Sequence, residues 1–325
     1  MESFENKLAV ITGGGSGMGR ELAIALARDG CHVAICDLSD ANLAETAELV
    51  REANAQITVS NHLCDVSDEA SVLAFRDAVL AAHHTDHVHL LFNNAGIGGG
   101  GSFVNDSRED WERTFGVCWF GVYYCARAFL APLIAADEAH IVNTSSINGF
   151  WASIGPDVSH TAYSAAKFAV KGFSEALLTD LRLHAPHVGV SVVMPGHIGT
   201  NIALNTGQVL GRPAPADMSA KDIAAVRQAM VDRGLPVGNQ PDEAIRALLI
   251  QRGEAFRDDA PTTAADAALI ILNGVREGRW RLLVGEDAFA IDAEVRRDPD
   301  AAYERSFVEA IAAQGHLQGI VGRLR

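Results

Sequence analysis

Short apolar runs rich in β-branched residues alternate with longer segments of helical periodicity along most of this chain. The runs that qualify as strands span residues 8–12, 32–36, 58–64, 89–93, 140–145, 189–194 and 281–284. The clearest helical segments span residues 17–28, 41–53, 67–82 and 162–184. This alternation predicts an α/β fold, with a Rossmann-like, doubly wound parallel sheet of about seven strands and helices on both faces. Because ligands bind beyond the carboxyl ends of such strands, we expect the functional residues there.

The same pattern indicates how the 325 residues divide. We expect residues 1–285 to form one domain, and residues 286–325 to form a C-terminal helical extension that wraps a neighbouring subunit or covers the site. Within the domain, residues 199–261 are rich in Gly and Pro and predict an inserted, variable lobe. The apolar residues of this lobe either line a hydrophobic pocket under a lid or form the core of the lobe itself: Ile202, Leu204, Val209, Leu210, Met218, Val226 and Met230.

The net charge of −15 and the cysteine pattern constrain the partners and the compartment. An acidic protein repels phosphate backbones and anionic lipid surfaces, so we expect a small-molecule partner and neither nucleic acid nor membrane. The chain begins with charged residues where a signal peptide would be apolar, and its five cysteines include no CxxC pair. These features predict a reduced, cytoplasmic protein.

Residues 115–136 form an apolar segment whose only charged side chain is Arg127. Its length approaches that of a membrane span. Glu112 and Arg113 directly precede it and Pro132 breaks its end, and a helix packed between a sheet and a partner subunit is equally apolar. We therefore predict a packed helix.

Four histidines lie close together in the sequence, at His83, His84, His87 and His89. They follow the end of a predicted helix, with no Cys nearby and no HExxH arrangement. We predict a solvated turn there and no metal site.

A glycine-rich turn follows the first predicted strand and opens a helix. It reads TGxxxGxG, a spacing that lets the backbone approach a pyrophosphate whose charge the helix N-terminus stabilises. A simple tight turn is the alternative. The candidate cofactor-binding residues here are Gly13, Ser16, Gly17, Met18 and Gly19.

Asp37 follows the second predicted strand, where a carboxylate can accept hydrogen bonds from both ribose hydroxyls of an adenosine. Its charge repels a 2′-phosphate, and neither Lys nor Arg occupies the neighbouring positions Ser16, Leu38 and Ser39. The sequence therefore favours NAD and makes NADP the less expected cofactor. The alternative is that Asp37 only caps the next helix.

Tyr163 and Lys167 are four residues apart on a predicted helix and so project from the same face. A phenol with a pKa of about 10 is a poor base at neutral pH, and an adjacent cation stabilises the phenolate and lowers that pKa. Tyr163 is therefore the candidate acid/base group, accepting a proton from an alcohol or donating one to a ketone as a hydride moves.

Taken in order, these motifs resemble those of the short-chain dehydrogenase/reductase family in its single-domain form. The resemblance covers about the first 200 residues: TGGGSGMG, CDV at 64–66, NNAG at 93–96, a serine after the fifth strand, YSAAK at 163–167 and PGHIGT at 195–200. It implies cofactor contacts beyond those argued above. Asp65 and Val66 would line the adenine pocket, and Ile198 and Thr200 would meet the nicotinamide carboxamide. The remaining implied cofactor-binding residues are Asn94, Ala95, Gly96, Tyr163, Lys167, Pro195 and Gly196.

The resemblance also implies a catalytic set of Ser146, Tyr163 and Lys167, in which the serine hydroxyl binds the substrate oxygen. Ser145, Ser153 and Ser159 are the alternatives for the serine. Many family members carry an Asn where this chain has Cys118, and in the family the backbone carbonyl of that residue holds a water linked to the lysine. A backbone group survives the substitution, and we expect Cys118 to be a packed side chain rather than a nucleophile.

These observations predict an NAD-dependent oxidoreductase that transfers a hydride between NAD(H) and a secondary alcohol or ketone of hydrophobic character. A catalytically idle NAD sensor or scaffold, and an enzyme that uses bound NAD transiently, such as an epimerase or dehydratase, are the alternatives. His197 lies near the implied nicotinamide pocket and could contact substrate. The resemblance implies a homodimer or homotetramer formed through the helices around residues 115–136 and after Tyr163.

Overall fold

A seven-stranded parallel sheet forms the centre of the structure, a computed structural model that describes residues 1–155, 158–232 and 235–316. The strands in chain order are Leu8–Thr12 (β1), His32–Asp37 (β2), Val59–Leu63 (β3), Leu90–Asn93 (β4), Ala139–Thr144 (β5), Val188–Pro195 (β6), Ile198–Gly199 (β7), Thr262–Thr263 (β8) and Arg281–Val284 (β9). The main sheet has the order β3-β2-β1-β4-β5-β6-β9, and β7 and β8 form a separate parallel pair. The predicted Rossmann-like fold is confirmed, and each end of the seven predicted strands lies within one residue of the observed end.

Helices cover both faces of the sheet. They are Gly17–Arg28 (α1), Asp40–Ala53 (α2), Glu69–Ala82 (α3), Arg108–Phe115 (α4), Gly121–Ala135 (α5), Thr161–His184 (α6), Ile202–Val209 (α7), Ala220–Asp232 (α8), Asp242–Asp258 (α9), Ala264–Arg276 (α10), Glu286–Arg297 (α11) and Arg305–Ala313 (α12). Successive strand residues point to opposite faces, so Val10 packs in a cluster with Phe129 of α5, and Ile11 packs in another with Leu22 of α1. Burial of both faces explains why β1, β2, β4 and β6 are mainly apolar, whereas the edge strand β3 is partly exposed and contains Ser60, Asn61 and His62.

A π-helical turn at Gly116–Phe120 joins α4 and α5 into one continuous helical stretch. This stretch is long enough to span a membrane, and its mean hydropathy of 1.5 is high enough. More than half of its most apolar window, 56%, is buried inside the fold. Phe129 and Leu133 of α5 are completely buried against the sheet. Packing in the core therefore accounts for the apolar sequence that the segment carries.

The described part of the segment between β7 and β8 contains the helices α7, α8 and α9. Its apolar residues divide between the two roles that the sequence left open, pocket lining and lobe core. Met218, Val226 and Met230 pack with Ile223 and Ile245 in a cluster that α8 and α9 share. Leu204 of α7 packs against Gly253 of α9. These residues form the internal core of the segment, whereas other apolar residues of α7 face the cleft described below.

The helices α11 and α12, which follow β9, pack against the rest of the domain. Phe307 and Ile311 of α12 and Ile291 of α11 join a buried cluster with residues of β6 and β9 and with Trp151. The indole Nε1 of Trp151 donates a hydrogen bond to the carbonyl of Ala302 at 2.7 Å. The described part of the C-terminal extension thus supports the loop that follows β5, rather than reaching away from the domain.

Candidate active site

A cleft opens beyond the carboxyl ends of β1, β2 and β4, where the fold directs ligands. Its floor is the glycine-rich turn between β1 and α1. Gly13 has a φ of +64°, and a Cβ on Gly19 would lie 2.1 Å from the carbonyl oxygen of Gly13, so both positions require glycine. The Ser16 hydroxyl accepts a hydrogen bond from Asn205 at 3.4 Å rather than capping α1, which leaves the first amides of α1 for an anion.

Most of the predicted cofactor-binding residues line this cleft. They are Gly13, Ser16, Gly17, Met18, Asp37, Asp65, Val66, Asn94, Ala95, Gly96 and Thr200. Other lining residues are not among the predicted ones: Leu38, Cys64, Ile97, Val117, Asn201, Ile202, Asn205 and Val209. Leu38 and Ile97 directly follow the predicted residues Asp37 and Gly96, and Cys64 is the first residue of the CDV motif. Their positions in the sequence could therefore have predicted them. Ile202 and Val209 of α7 belong to the apolar set for which the sequence left a pocket lining or a lobe core open, and the structure places both at this cleft. Asn205 could not be predicted, because α7 reaches the cleft only through the tertiary fold.

The Asp37 carboxylate is held rigidly at the end of β2. One oxygen accepts from the Gly15 amide at 3.0 Å, and the other accepts from the amides of Leu38 at 2.8 Å and Ser39 at 3.2 Å. The Ser39 side chain, and not Asp37, caps α2 by accepting from the Asn42 amide at 3.3 Å. The capping alternative for Asp37 is therefore wrong, and its carboxylate faces the cleft.

Asp65 lies at the same edge, after β3. Its carboxylate accepts from the Ser67 hydroxyl at 2.7 Å and pairs with Arg113 at 2.8 Å. Burial raises the pKa of Asp65, but the hydrogen bonds from Ser67 and the charge of Arg113 outweigh it and lower the pKa overall. Asp65 therefore keeps its negative charge beside the cleft.

Asn94 carries an acceptor that the protein leaves unused. Its Nδ2 donates to the carbonyl of Thr12 at 3.1 Å, and its backbone amide donates to the Thr12 hydroxyl at 3.0 Å. Within the described residues, its buried Oδ1 has no hydrogen-bond partner. A buried carbonyl oxygen without a donor is costly, so this side of the cleft fits a ligand that supplies one.

Tyr163 and Lys167 occupy the first turns of α6, beside the end of β5. Lys167 is buried, and its Nζ donates to the carbonyl of Thr144 at 2.8 Å and lies 5.3 Å from the centroid of the Tyr163 ring. A Cβ on Gly96 would lie 3.6 Å from the same Nζ, which places the lysine at the edge of the cofactor cleft.

Of the serines considered, Ser146 is the one that meets Tyr163, through a hydrogen-bonding interaction that lowers the pKa of the phenol. The Ser145 hydroxyl instead donates to the Lys167 carbonyl at 2.8 Å. Ser153 bonds the carbonyl of Gly155, and Ser159 is exposed. The geometry therefore favours Ser146 for an interaction with a substrate oxygen.

The pKa of Tyr163 differs from the sequence expectation. Burial raises it well above its usual value of about 10, the nearby Cys118 thiol raises it further, and only the Ser146 interaction lowers it. Burial also lowers the pKa of Lys167. Removal from water is therefore the largest effect on both groups, and the pKa of Tyr163 is raised even though Lys167 lies beside its ring.

Cys118 lies in the π-helical turn between α4 and α5. Its side chain is completely buried, and its thiol donates to the carbonyl of Ile97 at 3.3 Å. The position is next to Gly96, since a Cβ there would be 3.8 Å from the sulfur. Cys118 is thus a packed side chain beside Tyr163 and Lys167, in an irregular helical turn of the kind that recurs at functional sites.

The loop from Pro195 to Thr200 connects β6 to the inserted segment. Ile198 is buried and pairs with Thr262, and Thr200 lines the cleft. The His197 ring lies against the Phe256 ring, with centroids 4.3 Å apart, and its Nε2 donates to the Phe256 carbonyl at 2.7 Å. His197 therefore contacts α9, and its imidazole is already engaged.

The histidines near residue 85 have separate partners. The Nδ1 of His89 accepts from the Leu8 amide at 3.0 Å, His83 bonds the Ser60 hydroxyl, and His87 bonds the Thr85 hydroxyl. Across the parts of the chain that the structure describes, no group of three or more His, Cys, Asp or Glu side chains could hold a metal ion.

Comparison with known proteins agrees with this geometry. The family model described as short chain dehydrogenase matches residues 7–209. The putative oxidoreductase SadH of Mycobacterium tuberculosis is 35% identical over 312 residues, which cover 96% of this chain and 98% of that protein. A solved short-chain dehydrogenase/reductase from Burkholderia phymatum, in complex with NAD, is 34% identical with a TM-score of 0.72, covering 93% of this chain and 95% of that one. A metagenomic short-chain oxidoreductase in complex with NADP is 31% identical with a TM-score of 0.53, covering 59% and 83%. This chain belongs to the short-chain dehydrogenase/reductase family of oxidoreductases.

Proposed function

We propose that this protein transfers a hydride between NAD(H) and a secondary alcohol or ketone of hydrophobic character, with Tyr163 as the acid/base group. The observation that carries the proposal is that Ser146, Tyr163 and Lys167 lie together, with Lys167 next to Gly96 of the cleft. The carboxylate residue Asp37 lines the same cleft. In the sheet, β1 and β4 lie between β2 and β5, so a dinucleotide that extends across the strand ends would have its adenosine beside Asp37 and its reactive ring beside Tyr163.

Asp37 supports NAD as the cofactor. Its carboxylate would accept hydrogen bonds from the adenosine ribose hydroxyls, and it would repel the 2′-phosphate of NADP. The neighbouring lining residues Ser16 and Leu38 carry no positive charge that could offset this repulsion. Because one relative binds NAD and another NADP, the family alone does not decide the cofactor, and Asp37 is the residue on which the choice depends.

When bound, the nicotinamide ring accepts or supplies the hydride at its C4 atom. In the oxidation direction, Tyr163 as the phenolate takes the hydroxyl proton of the alcohol, and in reduction the neutral phenol gives that proton to the carbonyl oxygen. The Ser146 hydroxyl would donate to the same substrate oxygen and stabilise its developing charge. Lys167 would support the phenolate electrostatically and hold the ribose next to the nicotinamide.

Apolar residues at the edge of the cleft support a hydrophobic substrate. Ile97, Ile202 and Val209 line it, and Leu210 packs against Gly99 of the loop opposite α7. Such surfaces bind aliphatic or aromatic groups and exclude water from the reacting atoms.

Exposed aromatic residues support a homodimer or homotetramer. Phe120, Tyr123 and Phe168, which lie on the π-helical turn, α5 and α6, are each about 40% exposed. Light scattering coupled to size-exclusion chromatography would test this, and a monomer at micromolar concentration would contradict it.

The function is tested by following NADH absorbance while the protein meets a panel of hydrophobic ketones, and NAD with the matching alcohols. Turnover on any member supports the proposal. NADH binding without turnover on a broad panel would contradict it and favour an idle cofactor-binding protein.

A further inference from the structure

The carboxylate of Asp287, which belongs to none of the cofactor motifs, is buried at the start of α11 with 3% of the residue exposed. One of its oxygens accepts from the His197 amide at 2.6 Å, and the other accepts from the Ala288 amide at 3.0 Å. A buried carboxylate is costly unless charge-assisted hydrogen bonds compensate for lost water. These two bonds, together with the position in the first turn of a helix, provide that compensation.

Two glycines lie so close to this carboxylate that a side chain on either would overlap it. A Cβ on Gly196 would lie 2.1 Å and 2.2 Å from its two oxygens. Gly285 has a φ of +96°, and a Cβ there would lie 2.6 Å from one of them. The carboxylate of Asp287 therefore packs directly against the backbone of residues 196 and 197, and the two form one close-packed unit. This unit leaves no space for a side chain at position 196.

This unit fixes the loop that leads into the cleft. On one side, Gly196 donates from its amide to the Val284 carbonyl at 2.9 Å. On the other, Ile198 pairs with Thr262, and Thr200 lines the cleft. Asp287 thus holds the loop only a few residues before the point where it meets a bound cofactor.

We infer that Asp287 is a positioning residue for the nicotinamide half of the cofactor: it fixes the loop 195–200 in the conformation that receives this ring. The inference rests on the proposed function, and it extends the cofactor site to a residue beyond β9. The adenine half would be contacted at the ends of β2 and β3, which are separated from β6 by at least three strands. Loss of the carboxylate should therefore weaken binding of one half of the cofactor only.

The test compares Asp287→Asn with Asp292→Asn. Asp292 is a second buried carboxylate on α11, with 8% of the residue exposed, but it pairs with Arg281 and Arg296 away from the loop. Dissociation constants are measured for NADH and for ADP-ribose, which has the adenine half but lacks nicotinamide. Urea denaturation of each variant records its loss of stability.

In Asp287→Asn, the side-chain NH₂ group replaces one carboxylate oxygen and so faces a backbone N–H, of His197 or Ala288, that has lost its acceptor. We therefore expect the dissociation constant for NADH to rise by about tenfold or more. The constant for ADP-ribose should stay within about twofold, and Asp292→Asn should leave both constants within about twofold while it lowers the stability. If Asp287→Asn fails to fold, Gly196→Ala displaces the same carboxylate and should show the same selective loss.

Unchanged NADH affinity in Asp287→Asn or Gly196→Ala would overturn the inference. Equal weakening of NADH and ADP-ribose would also overturn it, because that result indicates a general loss of structure. If the unmodified protein fails to bind NADH, the proposed function is overturned together with the inference, so the two failures are distinguishable.

Discussion

The ammonium nitrogen of Lys167 lies 5.3 Å from the centroid of the Tyr163 ring. The same nitrogen donates to the carbonyl of Thr144, the last residue of β5, two residues before Ser146. One buried cation therefore fixes the start of α6 to the end of β5, and this link holds the serine and the tyrosine at their mutual distance. Lysine at this position has a structural role in addition to any electrostatic one.

The raised pKa of Tyr163 predicts opposite pH dependences for the two reaction directions. Oxidation needs the phenolate, which is the minor form below a raised pKa, so kcat/KM for alcohol oxidation should increase through neutral pH into the alkaline range. Reduction needs the neutral phenol, so kcat/KM for ketone reduction should be constant through neutral pH and decrease only at alkaline pH. Steady-state profiles in both directions check this. An oxidation rate that is already constant below neutral pH would contradict it.

Asp37→Ala should reduce the preference for NADH over NADPH. The substitution removes the acceptor for the ribose hydroxyls and the charge that repels a 2′-phosphate, so NADH should bind about tenfold more weakly and NADPH more tightly. Parallel fluorescence titrations with the two cofactors measure the change. If NADPH binds the unmodified protein as tightly as NADH does, the role of Asp37 is wrong.

Cys118→Ala should leave catalysis nearly intact. The thiol is buried and bonded to the Ile97 carbonyl, so its removal creates a small cavity and should lower the free energy of unfolding by about 1 kcal/mol. The backbone of the π-helical turn stays in place, and kcat should remain within about threefold. A loss of more than about a hundredfold in kcat, with the fold preserved, would show that the thiol itself takes part in the reaction.

Phe307→Ala should destabilise the protein strongly, because the ring is buried against Trp151 with centroids 5.3 Å apart. We expect a loss of about 3–5 kcal/mol in the free energy of unfolding, measured by urea denaturation. The matched control is Phe289→Ala on α11, whose side chain is 58% exposed and should change stability by less than about 0.5 kcal/mol. Similar losses in the two variants would show that α12 does not pack as described.

The central strands were predictable because they are buried on both faces and therefore mainly apolar, as in Val190, Val192 and Val193 of β6. The glycine-rich turn and Asp37 were predictable because close backbone approach and ribose recognition each demand one residue type at one place. These features depend on a few consecutive residues, so the sequence is sufficient to predict them.

Other parts of the site depend on contacts between distant segments. Asp287 accepts its hydrogen bond from the amide of His197, 90 positions earlier in the chain, and no local pattern distinguishes it from the other acidic residues of α11. The pKa of Tyr163 likewise depends on how completely the fold buries it, which a spacing of four residues to Lys167 does not determine.

The most direct test of the account is a comparison of the unmodified protein with Tyr163→Phe on a hydrophobic ketone that the panel finds active, with the dissociation constant for NADH measured for both. We expect the variant to lose at least about a thousandfold in kcat while its NADH affinity stays within about threefold, because only the proton donor is removed. A variant that keeps a kcat within about tenfold of the unmodified protein would contradict the assignment of Tyr163 as the acid/base group, and with it the proposed mechanism.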